Sequence, residues 1–238
     1  MADDSSTVGV VLPAGGSGSR MATPGEPAKQ FRRLGDAPVL VQTLRAFARH
    51  PAVGPAVVVV PVGEEAATRD QLAAHGAEAA VVAGGPTRQA SVQCGVRALP
   101  ESVEVVLVHD AVRPFVSQTV IAKSVEAARQ HGAAAAAVRV ADTLRQGGDG
   151  PLFGATVPRD GLWAMQTPQA ARREWLLRAS ANAAGYVATD EVGLLQHAGY
   201  PVRIVEGDAR NVKLTRPSDW RLAQALWPAW EREQGRGG

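Results

Sequence analysis

This 238-residue chain carries a single cysteine, Cys94, and three lysines, Lys29, Lys123 and Lys213, against a large excess of arginine. One cysteine excludes an internal disulfide and fits a reducing cytoplasm, where the chain is expected to reside. No histidine stands at a partner spacing from Cys94, so the residue is expected to be buried in a helix rather than to act as a nucleophile. No apolar run approaches the ~20 residues that span a bilayer. The opening MADDSSTVG is polar and acidic, unlike a signal peptide. A net charge of +2 is too small to point to nucleic acid or membrane as the main partner. G-x-S-x-G, a Cys–His dyad and a metal-binding histidine cluster are all missing, which removes the common covalent and zinc chemistries.

What is present is a soluble composition, 45% apolar and 20% charged, in a chain long enough for one large α/β domain. Short Val-rich runs at Val8–Leu12, Val57–Pro61, Ala79–Val82, Val105–Val108 and Ala134–Val140 read as strands. Between them Val39–His50, Ala66–Gly76, Arg88–Leu99 and Thr119–Gly132 read as helices, the last closed by Gly132 as a C-cap. Apolar rather than alternating strands, interleaved with helices, predict a mostly parallel central sheet covered on both faces. In such sheets sites form at the carboxyl ends of the strands. The stretch 138–157 departs from this pattern. There VRVADTLRQ and LFGATV flank the turn signal GGDG (147–150), which predicts a protruding two-stranded arm. Such a ribbon is marginal alone and needs a surface to pack on, for which a second subunit is the natural candidate. One domain spanning 1–238 is expected, with flexible ends at 1–6 and 231–238.

The segment Val10–Phe31, VVLPAGGSGSRMATPGEPAKQF, is the most informative in the chain. A strand runs into a loop with Gly15, Gly16 and Gly18, followed by Arg20 and Lys29. Glycines let backbone N–H groups form an anion nest, and the two cations add fixed charge beside it. The glycines alone are compatible with a plain tight turn, but the whole string favours a phosphate site. It is no P-loop, since no G-K-[ST] closes it. Nor is it the dinucleotide fingerprint, because Met21 stands where a third glycine is needed. The sharper reading is a nucleoside triphosphate on a non-Walker loop.

Further motifs gather at the same sheet edge. GGPTRQASV (84–92) offers Gly84, Arg88 and Ser91 to a base or phosphate, with a glycine turn and ordinary N-cap as the plainer alternative. In HDAVRP (109–114), Asp110 is placed to hold Mg²⁺ on a triphosphate, and Arg113 to pair with that carboxylate or steady the loop. His109 is expected to pack rather than catalyse. Arg159 and Thr167 in TVPRDGLWAMQTPQ suit a phosphorylated second substrate. RNVKLTRPSDW (210–220) presents Lys213 in a short strand ahead of a helix capped by Ser218. Cations with one or two acids and no nucleophile–base pair suit a reaction in which a phosphate oxygen itself attacks.

In order along residues 7–227, PAGGSGSRM, KQF, GGPTRQASV, VHDAVRP, ADT, VPRDGLW with QTPQ, ATDE and EGDARNVKLTRPSD resemble the 2-C-methyl-D-erythritol 4-phosphate cytidylyltransferase family of the non-mevalonate isoprenoid pathway. The resemblance implies a Rossmann-like nucleotidyltransferase fold, a homodimer built through the β-arm, and Mg²⁺-dependent CTP chemistry. It implies catalytic roles for Arg20, Lys29, Arg159 and Lys213. It further implies a CTP site at Ala14, Gly15, Gly16, Gly18, Gly84, Arg88, Ser91, Asp110 and Ala111, with Asp110 as the metal ligand. The acceptor would be bound by Arg113, Thr143, Arg159 and Thr167, with Thr143 reaching the partner subunit's site. The family usually places proline directly before the lysine, whereas here Ala28 separates Pro27 from Lys29 and lengthens the loop. No fused cyclodiphosphate synthase is expected. The alternatives are a cytidylyltransferase for another polyol phosphate, such as ribitol 5-phosphate, and a non-catalytic nucleotide sensor.

Overall fold

The computed structural model describes residues 7–16, 27–183 and 185–235. Seven strands form the central sheet: β1 (Val8–Pro13), β4 (Ala56–Val60), β5 (Ala80–Ala83), β6 (Val105–Val108), β7 (Ala133–Arg139), β10 (Trp163–Arg172) and β11 (Arg203–Glu206). Their order is β11-β7-β10-β6-β1-β4-β5, and β10 runs antiparallel to both its neighbours. The other pairs are parallel, as apolar strands buried on two faces require. Two small antiparallel pairs lie outside it, β2 (Arg33–Leu34) with β3 (Ala37–Pro38), and β8 (Leu144–Gly147) with β9 (Phe153–Val157).

Alternation along β1 shows how the layers form. Val8, Val10 and Leu12 join Leu40, Leu44 and Phe47 of α1 (Val39–Ala48), and Ile121 and Val125 of α4 (Gln118–His131), on one face. Val11 joins Val92 and Val96 of α3 (Arg88–Ala98), Leu176 of α5 (Arg173–Ala181), and Leu194 of α6 (Glu191–His197) on the other. Each such buried Val or Leu contributes ~1.5–3 kcal/mol, and both faces of the sheet draw on it. Helix α2 (Glu65–Ala73) packs at the β5 end. Helix α7 (Pro217–Gly235) closes a third apolar cluster, where Trp220, Trp227 and Trp230 recur at helical spacing and Phe115 meets the last two edge-on.

Several expectations are corrected. The arm ribbon begins at Leu144, because residues up to Arg139 belong to the central sheet, where Arg139 pairs with Trp163. Residues 231–235 are not frayed but form the last turn of α7. Ser218 lies inside that helix. The cap comes from Asp219, whose carboxylate accepts the backbone N–H groups of Thr215 and Arg216 at 2.8 Å each, an N3 acid reaching back to the helix start. Cys94 sits on α3 but is half-buried. The expected flexible segment 1–6, and residues 236–238, lie outside the described residues.

Candidate active site

The carboxyl ends of β1, β5 and β6 enclose a cavity of about 380 Å³. One wall is the chain leaving β1, with Ala14, Gly15 and Gly16, and beside it Lys29 in a 3-10 turn (Lys29–Phe31). The extra Ala28 does not displace Lys29 from this wall. Gln30, next in the chain, is buried and donates its amide to the Ala14 carbonyl at 2.9 Å, which ties the turn to the loop. Gly18 and Arg20 lie outside the described residues.

The opposite wall is built around Asp110, two residues beyond the end of β6. Its Oδ2 accepts from Arg113 Nε at 3.0 Å and lies 3.1 Å from Lys213 Nζ, while Oδ1 faces the Arg88 guanidinium at 4.0 Å. Burial pushes the Asp110 carboxyl up, but Lys213, Arg113 and Arg88 together outweigh it and hold it down at about 2. A stable anion therefore sits among three cations at the rim of the cavity.

Lys213 arrives by an irregular route rather than on the expected strand, since β11 ends at Glu206. The carbonyl of Val112 accepts the Leu214 N–H at 3.0 Å, and Arg113 donates to the Asn211 carbonyl at 2.7 Å. Those bonds lay the 211–214 segment along the Asp110–Arg113 turn. Arg113 thus pairs with the Asp110 carboxylate and steadies the loop, as the sequence reading allowed.

Arg88, Gly84 and Thr167 each have partners within the fold, and Arg88 also lines the cavity. Arg88 forks onto Glu191 with bonds of 2.7 and 3.0 Å, so its charge is matched within the fold. Burial raises the Glu191 carboxyl above its usual range despite Arg88. Gly84 spends its N–H on Val60, and it is Gly85 that lines the cavity with Ser91, whose hydroxyl donates to the Thr87 carbonyl at 2.9 Å. Thr167 is buried at 4% exposure and its hydroxyl engages His109 and the Asp110 N–H. Ala111 lines the cavity, and its carbonyl accepts the Thr43 hydroxyl at 3.1 Å. His109 packs edge-on to Phe47, fully buried, and desolvation lowers it to about 4, in keeping with a packing role.

Arg159 and Thr143 are not among the residues lining this cavity; both are exposed at the base of the arm. Pairing of Leu144 with Val157 sets the two beside one another, and Arg159 donates to the Ala141 carbonyl, tying the ribbon's ends together. Among the described residues no group of three or more His, Cys, Asp or Glu could hold a metal unaided.

A family model described as 2-C-methyl-D-erythritol 4-phosphate cytidylyltransferase matches residues 8–228. The chain belongs to that family. A cytidylyltransferase of this name from Salinibacter ruber is 53% identical over 225 residues, covering 93% of each chain. One from Deinococcus radiodurans is 44% identical over 220 residues, covering 91% of this chain and 88% of the other. The crystal structure of the enzyme from Thermus thermophilus superposes with a TM-score of 0.77 at 36% identity, over 93% of this chain and 98% of that one. This cytidylyltransferase-family chain is accordingly a nucleotidyltransferase.

The sequence reading missed Glu191, Gln30 and Asn211 as parts of the site. Their signals lay in motifs already noted, ATDE, KQF and RNVK, but their roles depend on partners 103, 16 and 44 residues away. Among the described residues no helix is long and apolar enough to cross a membrane.

Proposed function

We propose that the chain transfers the cytidylyl group of CTP to 2-C-methyl-D-erythritol 4-phosphate, yielding 4-diphosphocytidyl-2-C-methyl-D-erythritol and pyrophosphate. The observation that carries this reading is the cavity itself. A glycine loop with Lys29 forms one wall and the Asp110–Lys213 pair the other, and among the described residues that line the cavity no hydroxyl is paired with a histidine or carboxylate base. A non-bridging oxygen of the acceptor phosphate attacks the α-phosphorus. The bond from that phosphorus to the oxygen shared with the β-phosphate breaks, and pyrophosphate leaves with the electron pair. Nothing needs deprotonating, because the attacking oxygen is already anionic. The protein's part is to bring two polyanions together and offset their repulsion. Lys29 and Lys213 do this from the two walls, joined in this proposal by Arg20 from the glycine loop.

Asp110 fits a magnesium-binding role. Its Oδ2 is occupied by Arg113 and Lys213, whereas among the described residues Oδ1 keeps a distant contact with Arg88 and can serve as the carboxylate oxygen such an ion takes beside phosphate oxygens. Magnesium, when bound, offsets charge on the triphosphate and on the departing pyrophosphate.

The arm supports a homodimer. Leu152 and Phe153 at its tip are 68% and 84% exposed, and Arg159 and Thr143 sit together away from their own cavity. Docked on a second subunit, the ribbon buries that apolar tip and delivers both residues to the other site. The single cysteine supports a cytoplasmic setting.

Pyrophosphate release measured with CTP, Mg²⁺ and either methylerythritol phosphate or ribitol 5-phosphate tests the assignment. Faster turnover per acceptor concentration with methylerythritol phosphate is expected. A preference for ribitol phosphate, or no turnover with either, overturns it. For the arm, mixing Thr143→Ala with Arg159→Ala chains is expected to give no recovery of activity in heterodimers, since one arm carries both residues and every heterodimeric site then lacks one of them. If each site instead takes Thr143 from one subunit and Arg159 from the other, one of the two sites loses neither residue and recovered activity refutes joint delivery by the arm. A fully active monomer by sedimentation refutes arm exchange altogether.

A further inference from the structure

Lys29 stands on a turn too short to hold its own position. The 3-10 turn Lys29–Phe31 has three residues, and Ala28 before it offers no side-chain cap. The Phe31 N–H donates to the Ala28 carbonyl at 2.8 Å, but the closing bond from Arg32 N–H to the Lys29 carbonyl is long at 3.4 Å. A turn of this kind takes its place from contacts outside itself. On the side that continues into α1, Phe31 packs against the core and the Arg32 carbonyl accepts the Val39 N–H at 3.0 Å. On the side of the cavity the tie runs through Gln30. That residue is 3% exposed, and its amide donates to the Ala14 carbonyl at 2.9 Å, across 16 residues of chain. Ala14 is itself held, since its N–H donates to the Val59 carbonyl of β4 at 2.7 Å. The sheet, Ala14, Gln30 and Lys29 thus form one bonded series, and Ala14 begins the glycine wall that Lys29 shares. A carbonyl can only accept, so Gln30 Nε2 faces it, and neither a methyl group nor a carboxylate can replace that donor.

We propose that Gln30 is a positioning residue, whose amide sets the Lys29 ammonium in register with the glycine loop so that its charge faces the α-phosphorus as the new bond forms. This rests on the cytidylyl-transfer reading of the same cavity. The tie carries more weight in this chain because Ala28, not Pro27, directly precedes Lys29. Proline would lock φ at about −65°, whereas Ala28 takes φ −53° and ψ 144° without that lock. The approach to the turn keeps a freedom that proline removes, and the Gln30 bond limits it.

The test uses Gln30→Met, which keeps the length and removes the donor, alone and in the Lys29→Ala background. Misplacing a reacting or charged group by about 1 Å costs up to about a hundredfold in rate, so Gln30→Met is expected to lower kcat roughly 10–100-fold. The KM values for CTP and methylerythritol phosphate should each move less than about threefold. In the Lys29→Ala background the same change should cost less than about threefold more, because both act through one ammonium. An unchanged kcat, a raised KM for CTP at normal kcat, or losses that simply add would each overturn the proposal. Spectroscopy reads the position without turnover. The three lysines give three signals on ¹³Cε labelling, and Lys29 is identified by its loss in Lys29→Ala. Saturating CTP with Mg²⁺, without acceptor, should shift the Lys29 signal of the wild type. Gln30→Met should largely abolish that shift while the Lys123 and Lys213 signals of the free protein stay in place. No shift in the wild type, or an equal shift in the variant, overturns the proposal. Collapse of the variant's signals to unfolded positions does so too, since the bond would then support the whole fold. A wild-type protein inactive with methylerythritol phosphate, whose Lys29 signal answers CTP only with Gln30 intact, would refute the acceptor assigned above and leave the positioning role standing.

Discussion

Replacing Arg88 with alanine strands the Glu191 carboxylate. That side chain is 4% exposed, and its two oxygens are met by the Arg88 fork at 2.7 and 3.0 Å. Arg88 is what draws its pKa down, while burial and the charges on Asp110 and Asp190 push it up. Removing one member of a buried pair costs about 3–5 kcal/mol. The lower end applies here, since Arg88 is itself 29% exposed and water can enter the space it leaves. About 3 kcal/mol corresponds to a fall in Tm of roughly 6–12 °C for a chain of this size. Glu191→Gln leaves the partly exposed Arg88 with Asp110 nearby and is expected to cost only about 1 kcal/mol. The pH dependence has a definite sign. A carboxyl whose folded pKa is raised binds more protons folded than unfolded, so stability falls as pH rises. Without Arg88 that effect grows. The Arg88→Ala deficit should therefore be largest near neutral pH and shrink as the pH falls towards the ordinary glutamate value of 4.5. Asp110 leaves the comparison unchanged, because its ordinary value of 3.8 and its lowered folded value of about 2 both lie below the pH range compared. Unfolding followed by circular dichroism at about pH 7.5 and about pH 5 gives the comparison. A deficit that grows on acidification, or a Glu191→Gln variant as unstable as Arg88→Ala, refutes the reasoning.

Lys29→Ala and Arg20→Ala are each expected to lower kcat about a hundredfold, equivalent to ~3 kcal/mol, with much less effect on CTP binding. Steady-state kinetics decide it, and a raised KM for CTP at normal kcat would place these cations in ground-state binding instead. Gly35→Ala should destabilise the fold by about 2–4 kcal/mol, through left-handed backbone strain and overpacking. Gly35 has φ +66°, and a Cβ there would fall on the Trp227 indole. An unchanged Tm would show that α7 can shift away freely.

Much of the parallel core was legible because its physics is local. Val-rich runs bounded by polar turns became β1, β4, β5, β6 and β7 with ends displaced by no more than a residue or two. The same holds for α1, α3 and α4, whose apolar faces repeat at helical spacing, while α2 ends three residues short of the expected Gly76. β10 escaped notice because its centre, Gln166 to Gln169, is polar yet buried. Such a strand is stable only where partners arrive from elsewhere, here Asp208 and Asn211 for Gln166, and Asp190 with the α6 backbone for Gln169.

The sequence by itself determined the sheet edge at which the site forms and the charged groups brought there, because glycine turns, strand ends and motif order are properties of short segments. Only the tertiary structure decided what each group is free to do. Arg88 is matched by Glu191, Arg113 by Asp110 and Asn211, and Thr167 by His109. Those partners are set by packing across strands and loops as much as 103 residues apart. A buried polar group must find such partners to offset its desolvation, and which one it finds depends on the assembled fold.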